Sequence, residues 1–157
     1  MMSKFLPSLQ SFTLTKTNSF SSSFQTVVSF TKSCGVGLAI IGFRSTGDPT
    51  ANSSTGAAIR ADTFGVQSAA LRQASNSGAY IRLTEDGSEV ANWNITSYIE
   101  LTSAIVDEIR VDKGAFPLHW KTTTAGQHTW VFEAKLPAGS GSCNLTFLGV
   151  EAFAVFI

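Results

Sequence analysis

Hydrophobic and polar residues alternate along much of this chain with a period of two. Residues 11–17, Ser-Phe-Thr-Leu-Thr-Lys-Thr, show the pattern, and residues 128–136 show it again. Because successive side chains of a strand point to opposite faces, this period predicts half-buried β-strands. Residues 35–43 are instead continuously apolar, and the stretch 35–44 predicts a central strand that is buried on both faces.

Turn signals divide the remaining sequence into short segments. The strongest is Glu85-Asp86-Gly87, which predicts a hairpin that returns through Val90 and Trp93. Ala125-Gly126 predicts a second hairpin, with the strand before it paired to the strand after it. Residues 57–72 fit neither period, and a short helix is an alternative there.

About nine or ten strands with turns every 8 to 14 residues predict an all-β fold. We expect one antiparallel β-sandwich domain of jelly-roll type over residues 9–157, preceded by a leader or arm of residues 1–8. The strand number and chain length resemble small jelly rolls in general. These include viral coat and decoration proteins, fibre heads and tumour-necrosis-factor-like trimers. The resemblance is one of architecture, and architecture does not fix function.

The amino-acid composition indicates more about function than any sequence motif does. Only 14% of the residues are charged, against about 25% in an ordinary soluble domain, while 20 serines and 17 threonines fill polar positions. A surface of uncharged hydroxyls is more typical of a protein that packs against copies of itself than of a free enzyme. The formal net charge of zero argues against nucleic acid as a partner.

The first carboxylate of the chain is Asp48, so residues 1–47 carry only cations. Strands with few charges are the favoured explanation, and a transit peptide or a weak basic capsid arm are the alternatives. The longest apolar run, residues 35–43, is about half of the 18 or so residues that a membrane span needs. We therefore expect no transmembrane segment, no membrane insertion and no secretory signal, with synthesis in the cytoplasm by default.

Groups that could carry catalysis are sparse. The chain has two histidines, His119 and His128, and no G-x-S-x-G elbow. The two histidines with Glu133 or Asp107 could form a metal site if their strands were neighbours, but strand histidines are more often structural. Acidic residues cluster at the predicted Asp86 turn, where they are ordinary turn formers. We expect no catalytic residue, no metal and no cofactor.

The aromatic residues are the better candidates for contacts. Trp93, between Asn92 and Asn94, is the tryptophan most expected to be exposed, with even weight given to an interface or ligand contact and to ordinary packing. Trp120 is the second candidate contact. Trp130 is expected in the core.

Two cysteines, Cys34 and Cys143, lie far apart in sequence and outside any metal-binding spacing. Two buried thiols are favoured, and a disulfide between them is the alternative.

Together these features predict a non-enzymatic structural protein that assembles with copies of itself as a trimer or larger. The expected context is a virion, as a capsid decoration protein or a tail or fibre module, in contact with other virion proteins. A module for host attachment, binding surface glycans or a receptor, is the alternative. The loop 45–56, the segment 92–94 and the hairpin tip 121–127 would then form its site.

Overall fold

The fold is described from a computed structural model. It covers residues 8–13, 17–20, 23–46, 58–64, 79–95, 98–101, 106–112, 116–135 and 143–157. The described segments are all extended, and none of them contains a helix. Accordingly, no described segment offers a helix suited to crossing a membrane.

The described residues form thirteen strands. They are β1 (Ser8–Thr13), β2 (Thr17–Phe20), β3 (Gln25–Cys34), β4 (Gly37–Ser45), β5 (Ala58–Phe64), β6 (Ala79–Glu85), β7 (Ser88–Ile95), β8 (Tyr98–Leu101), β9 (Val106–Asp112), β10 (Leu118–Thr123), β11 (Gly126–Lys135), β12 (Cys143–Leu148) and β13 (Val150–Phe156).

Three antiparallel sheets contain these strands. Sheet I has the order β1-β13-β4-β10, sheet II the order β3-β11-β6-β7, and sheet III the order β2-β12-β5-β9-β8. The all-β class and the antiparallel sandwich predicted from the sequence are confirmed. The jelly-roll type is not confirmed, because the strands form two four-stranded sheets and a separate five-stranded sheet.

Sheets I and II pack face to face through large aromatic residues. The Phe43 ring of β4 lies 4.4 Å from the Phe132 ring of β11, and the Phe156 ring of β13 lies 5.3 Å from Trp130. The Phe12 ring of β1 stacks at 4.4 Å on Phe30 of β3. Alternate residues of each strand therefore bury the core, as the period of two predicts.

Strand β4 departs from its sequence-based prediction. Ala39, Ile41 and Phe43 are buried in the core, whereas Leu38 and Ile40 are only half-buried on the other face. Burial on both faces was therefore wrong for these outer positions. The apolar stretch reflects a core on one side and an apolar outer surface on the other.

The Ala125-Gly126 hairpin is also wrong. Strand β10 pairs with β4 in sheet I, whereas β11 pairs with β3 and β6 in sheet II, so the chain crosses between sheets at this turn. The connection from β3 to β4 crosses in the same way. The two crossings are in contact: the Thr123 hydroxyl donates a hydrogen bond of 2.7 Å to the Gly35 carbonyl.

The predicted Asp86-Gly87 hairpin is confirmed. Strands β6 and β7 are paired, and the turn residues have φ angles of 50° at Asp86 and 82° at Gly87. Both angles lie in the left-handed region, which Asp and Gly tolerate better than most residues. Within the ambiguous stretch 57–72, residues Ala58–Phe64 form a strand, and residues 65–72 lie outside the described part.

A candidate self-association surface

The outer face of sheet I is apolar across all four strands. Register places Leu9, Val155, Ile40 and Trp120 side by side in one row. The neighbouring rows complete the face with Ser11, Phe153, Gly42 and Leu118, and with Ile157, Leu38 and Thr122. None of these eleven positions is charged. We call these residues the outer face of sheet I.

Several side chains of this face remain in contact with solvent. Trp120 is 72% exposed, and Leu9, Leu118 and Ile157 are each more than half exposed. Single exposed apolar residues are common on protein surfaces, but a contiguous set of them is not.

Charges on this side of the sheet are confined to one end. The Arg44 Nε donates to Glu151 Oε1 at 2.7 Å, and its Nη2 donates to the Ser11 hydroxyl at 2.8 Å. The guanidinium also lies over the Phe153 ring, 5.3 Å from its centroid. The charges of Arg44 and Glu151 are opposite and cancel, so the pair adds no net charge beside the apolar rows.

The outer face of sheet II has the opposite character. Arg82 donates to Glu133 at 2.7 Å, lies 3.5 Å from Glu89, and stacks over the Phe24 ring at 3.7 Å. Lys135 lies 4.6 Å from the same ring centroid. A solvated sandwich face ordinarily looks like sheet II, and sheet I therefore stands out within the same molecule.

The predicted contact residues lie in different settings. Trp93 is half-buried against the core, with its ring 6.2 Å from Phe132, while Asn92 and Asn94 on either side are exposed. Successive side chains of a strand point to opposite faces, so Trp93 points inward when its polar neighbours point outward. Trp120 is the tryptophan that reaches solvent, and Trp130 is fully buried as predicted.

Cys34 is a free, half-buried thiol whose Sγ lies 3.8 Å from the Lys32 carbonyl oxygen. Burial raises the pKa of this thiol above its ordinary value. The side chain of Cys143 lies outside the described residues.

A layer of polar side chains lies between sheets I and II near the two crossings. Lys121 of β10 forms an ion pair with Glu85 of β6 and thus joins the two sheets. His128 Nδ1 lies 2.8 Å from Asp86 Oδ2 and 3.4 Å from Glu85 Oε1. Glu85 is buried, and a buried carboxylate needs such cationic partners.

The hydrogen bonds of this layer shift the pKa values of its ionisable side chains. The Thr129 backbone N–H donates to Asp86 Oδ1 at 2.8 Å, and this bond, with His128, lowers the pKa of Asp86. The hydrogen bond to Asp86 raises the pKa of His128. His119 behaves differently, because burial lowers its pKa, and its Nε2 is buried without a hydrogen-bond partner.

Glu85, Asp86 and His128 each present one ligand atom within 4.8 Å of the others. The same atoms already serve the His128–Asp86 bond and the Lys121–Glu85 pair, so we interpret the group as an ion-pair network. The alternative metal set of the sequence analysis is not brought together in the described part of the chain, because Glu133 pairs with Arg82 on the outer face of sheet II and Asp107 lies on β9 in sheet III. His119 and His128 likewise lie in different sheets.

The two histidines are expected to give opposite pH dependence. Because the folded pKa of His128 is raised, its contribution to stability is present below about pH 6.5 and is lost as pH rises. The folded pKa of His119 is lowered, so its contribution is present above about pH 6.5 and is lost as pH falls. In calorimetry from pH 5.5 to 8.5, Tm should fall with pH in a His119→Gln variant and rise in a His128→Gln variant.

The chain has no other histidine, so each variant leaves one imidazole to titrate across this range. Slopes of the same sign in both variants would contradict the assignment.

Most of the residues on the outer face of sheet I were not singled out from the sequence. Only Trp120 among them was a candidate contact. The available signal was the apolar content of both sides of residues 35–44 and of Phe153, Val155 and Ile157. That signal indicates burial, and it does not say whether the cover comes from the same chain or from another.

No family model and no curated protein matches the sequence. Among solved structures, the chain is similar to a chain in the structure of the infectious bursal disease virus Gx strain, with 14% identity and a TM-score of 0.36. The match covers 98% of this chain and 32% of the viral one, so this chain spans about a third of that length. A TM-score this low carries no weight for fold or function.

Proposed function

We propose that this chain is a non-enzymatic structural protein that assembles with copies of itself through the outer face of sheet I. The observation that carries the proposal is the uncharged row of Leu9, Val155, Ile40 and Trp120, which ends in a tryptophan that is 72% exposed. The side chains of this row offer a charged partner no group of opposite charge. An apolar face of the same kind is its natural cover.

The size of the face indicates how strong the contact is. Four strands about 4.8 Å apart and three rows about 7 Å apart give a face of roughly 400 Å². Two such faces bury about 800 Å² of flat area, which is below the roughly 1,600 Å² of a standard interface. We therefore expect a lone contact in the micromolar range, strengthened where each copy makes several contacts.

The context we propose is a virion, where the chain serves as a capsid decoration protein or as a tail or fibre module. Support comes from the composition: few charges and strands rich in serine and threonine. A genome-packaging coat is less favoured, because the 11 lysines and arginines are spread along the sequence and are balanced by 11 acidic residues.

A charge placed on the face tests the assembly. In size-exclusion chromatography with light scattering over a hundredfold dilution, the native chain should form dimers or larger particles. Trp120→Asp is expected to raise the dissociation constant at least about tenfold, because it removes an aromatic anchor and puts a charge into an apolar contact.

Asn94→Asp is the matched control. It adds the same charge at an exposed position of sheet II with little change of shape, and it should leave the association unchanged. A native chain that stays a 16.7 kDa monomer at every concentration would overturn the proposal.

Exposure of Trp120 also favours a second candidate function, glycan binding by stacking on the indole. A glycan array probed with the native chain and with Trp120→Ala tests it. Binding that is lost in the variant would support a module for host attachment. Binding that persists in Trp120→Ala, or no binding at all, would argue against a site there.

A further inference from the structure

We propose that two copies stack sheet I on sheet I about a twofold axis that runs parallel to the strands. The β10 edge of each copy then lies over the β1 edge of the other. This inference rests on the proposed function, and it deepens that function by specifying the partner and the symmetry of the contact. When the strands of the two copies are aligned, two face-to-face arrangements are compatible with a twofold axis in the plane of the sheets, and the side chains distinguish them.

The first distinction is how far the side chains of the two edge strands project from the sheet. The β10 edge carries Trp120 and Leu118, both more than half exposed, and Leu118 leans over Gly42. The β1 edge carries the smaller Leu9 and Ser11. An axis parallel to the strands exchanges the edges, so the large side chains of the β10 edge pack on the smaller side chains of the partner's β1 edge. An axis perpendicular to the strands would place the β10 edge of one copy on the β10 edge of the other. The large side chains would then collide there and leave a gap between the two β1 edges, which close packing disfavours.

The second distinction is charge. Arg44 of β4 and Glu151 of β13 are register partners at one end of the face. The parallel axis exchanges β4 with β13, so Arg44 lies over Glu151 of the second copy, and four charges alternate in sign. The perpendicular axis would lay both charges over Leu38 and Ile157 of the second copy. Burying charges against apolar groups without new partners is costly.

The proposed stacking agrees with known sheet geometry. Sheets pack face to face about 10 Å apart with strand directions within about 30° of each other. An axis parallel to the strands keeps the strands of the two copies aligned, and it closes the contact as a dimer. Among the described strands, none pairs with the outer edge of β1 or of β10, and these edges offer further contacts in a larger particle.

Crosslinking between singly substituted copies tests the axis. Three variants, Ser11→Cys, Leu118→Cys and Leu9→Cys, are made in a background where Cys34 and Cys143 are serine. All three retain Trp120. A bismaleimide that joins thiols about 10 Å apart is used, because facing sheets are too far apart for a direct disulfide.

Mixing Ser11→Cys with Leu118→Cys should give a covalent dimer, and mixing Ser11→Cys with Leu9→Cys should not. The reverse result would overturn the proposed axis, because Leu9 faces Ser11 of the second copy only in the perpendicular arrangement. Links in neither mixture, in samples that light scattering shows to be associated, would overturn it as well.

The two proposals fail in different ways. Monomers at every concentration would overturn the proposed function, whereas associated chains with the wrong link would overturn the axis alone.

Thermal melts check that each variant is folded. If Ser11→Cys or Leu118→Cys fails to fold, Leu9→Cys with Trp120→Cys gives the same test in the neighbouring row, at concentrations above the dissociation constant. Absence of that link in associated chains would again overturn the axis.

Discussion

Replacing Trp130 with alanine is expected to lower the free energy of unfolding by about 3–5 kcal/mol. The side chain is fully buried at the centre of sheet II, where it contacts the rings of Phe30, Phe156 and His128. Alanine removes this aromatic contact area and leaves a cavity between two sheets that cannot easily close. For a domain of this size, Tm in calorimetry should fall by roughly 10 °C.

Trp120→Ala is the matched control for Trp130→Ala, since the same side chain is removed from a position that is 72% exposed. We expect the stability of the dilute monomer to change by no more than about 0.5 kcal/mol. Trp130→Phe should cost less than Trp130→Ala, because it keeps a ring and removes a buried indole N–H that has no hydrogen-bond partner. Equal losses at positions 120 and 130 would contradict the core assignment.

Gly42→Ala is expected to lower the free energy of unfolding by about 2–3 kcal/mol. A Cβ at this position would lie 2.5 Å from the Pro117 carbonyl oxygen and 2.9 Å from Leu118 Cδ1. That carbonyl accepts the Phe43 N–H at 2.9 Å, so β10 would have to move away from β4 to relieve the clash. Denaturant titration measures the loss.

Gly35→Ala is the control for this glycine. A Cβ at Gly35 meets nothing within 4 Å, so we expect a change of no more than about 0.5 kcal/mol. Because β10 carries Trp120 and Leu118, Gly42→Ala should also weaken self-association, whereas Gly35→Ala should not. If Gly42→Ala and Gly35→Ala had the same free energy of unfolding, β10 would not pack against Gly42 as described.

Much of the sandwich could be predicted from local pattern. The alternation at residues 128–136 corresponds to β11, Gly126–Lys135, and the predicted Asp86-Gly87 turn joins β6 to β7. Strands can be predicted this way because alternation and turn residues act within a few positions. Strands β12 and β13 follow each other closely, and Gly149, with φ 56°, separates them.

Pairing between distant strands could not be predicted in the same way. Ala125-Gly126 has the composition of a hairpin turn, yet its flanking strands belong to different sheets. A turn signal fixes where the chain reverses, and it does not say whether the two arms pair with each other or lie on opposite sides of a core. The same limit applies to the outer face of sheet I, which exists only because β1, β13, β4 and β10 come together from four parts of the chain.

The order of strands in sheet I constrains how this protein can fold. Strand β13 lies between β1 and β4, and Ser8 pairs with Phe156 across almost the entire sequence. The sheet therefore cannot close on a ribosome until the chain as far as Phe156 has emerged, and until then Phe43 and Phe132 have no complete core. Such high contact order predicts folding in milliseconds to seconds rather than microseconds. During that interval the nascent chain exposes its apolar strands, and exposed apolar strands favour aggregation.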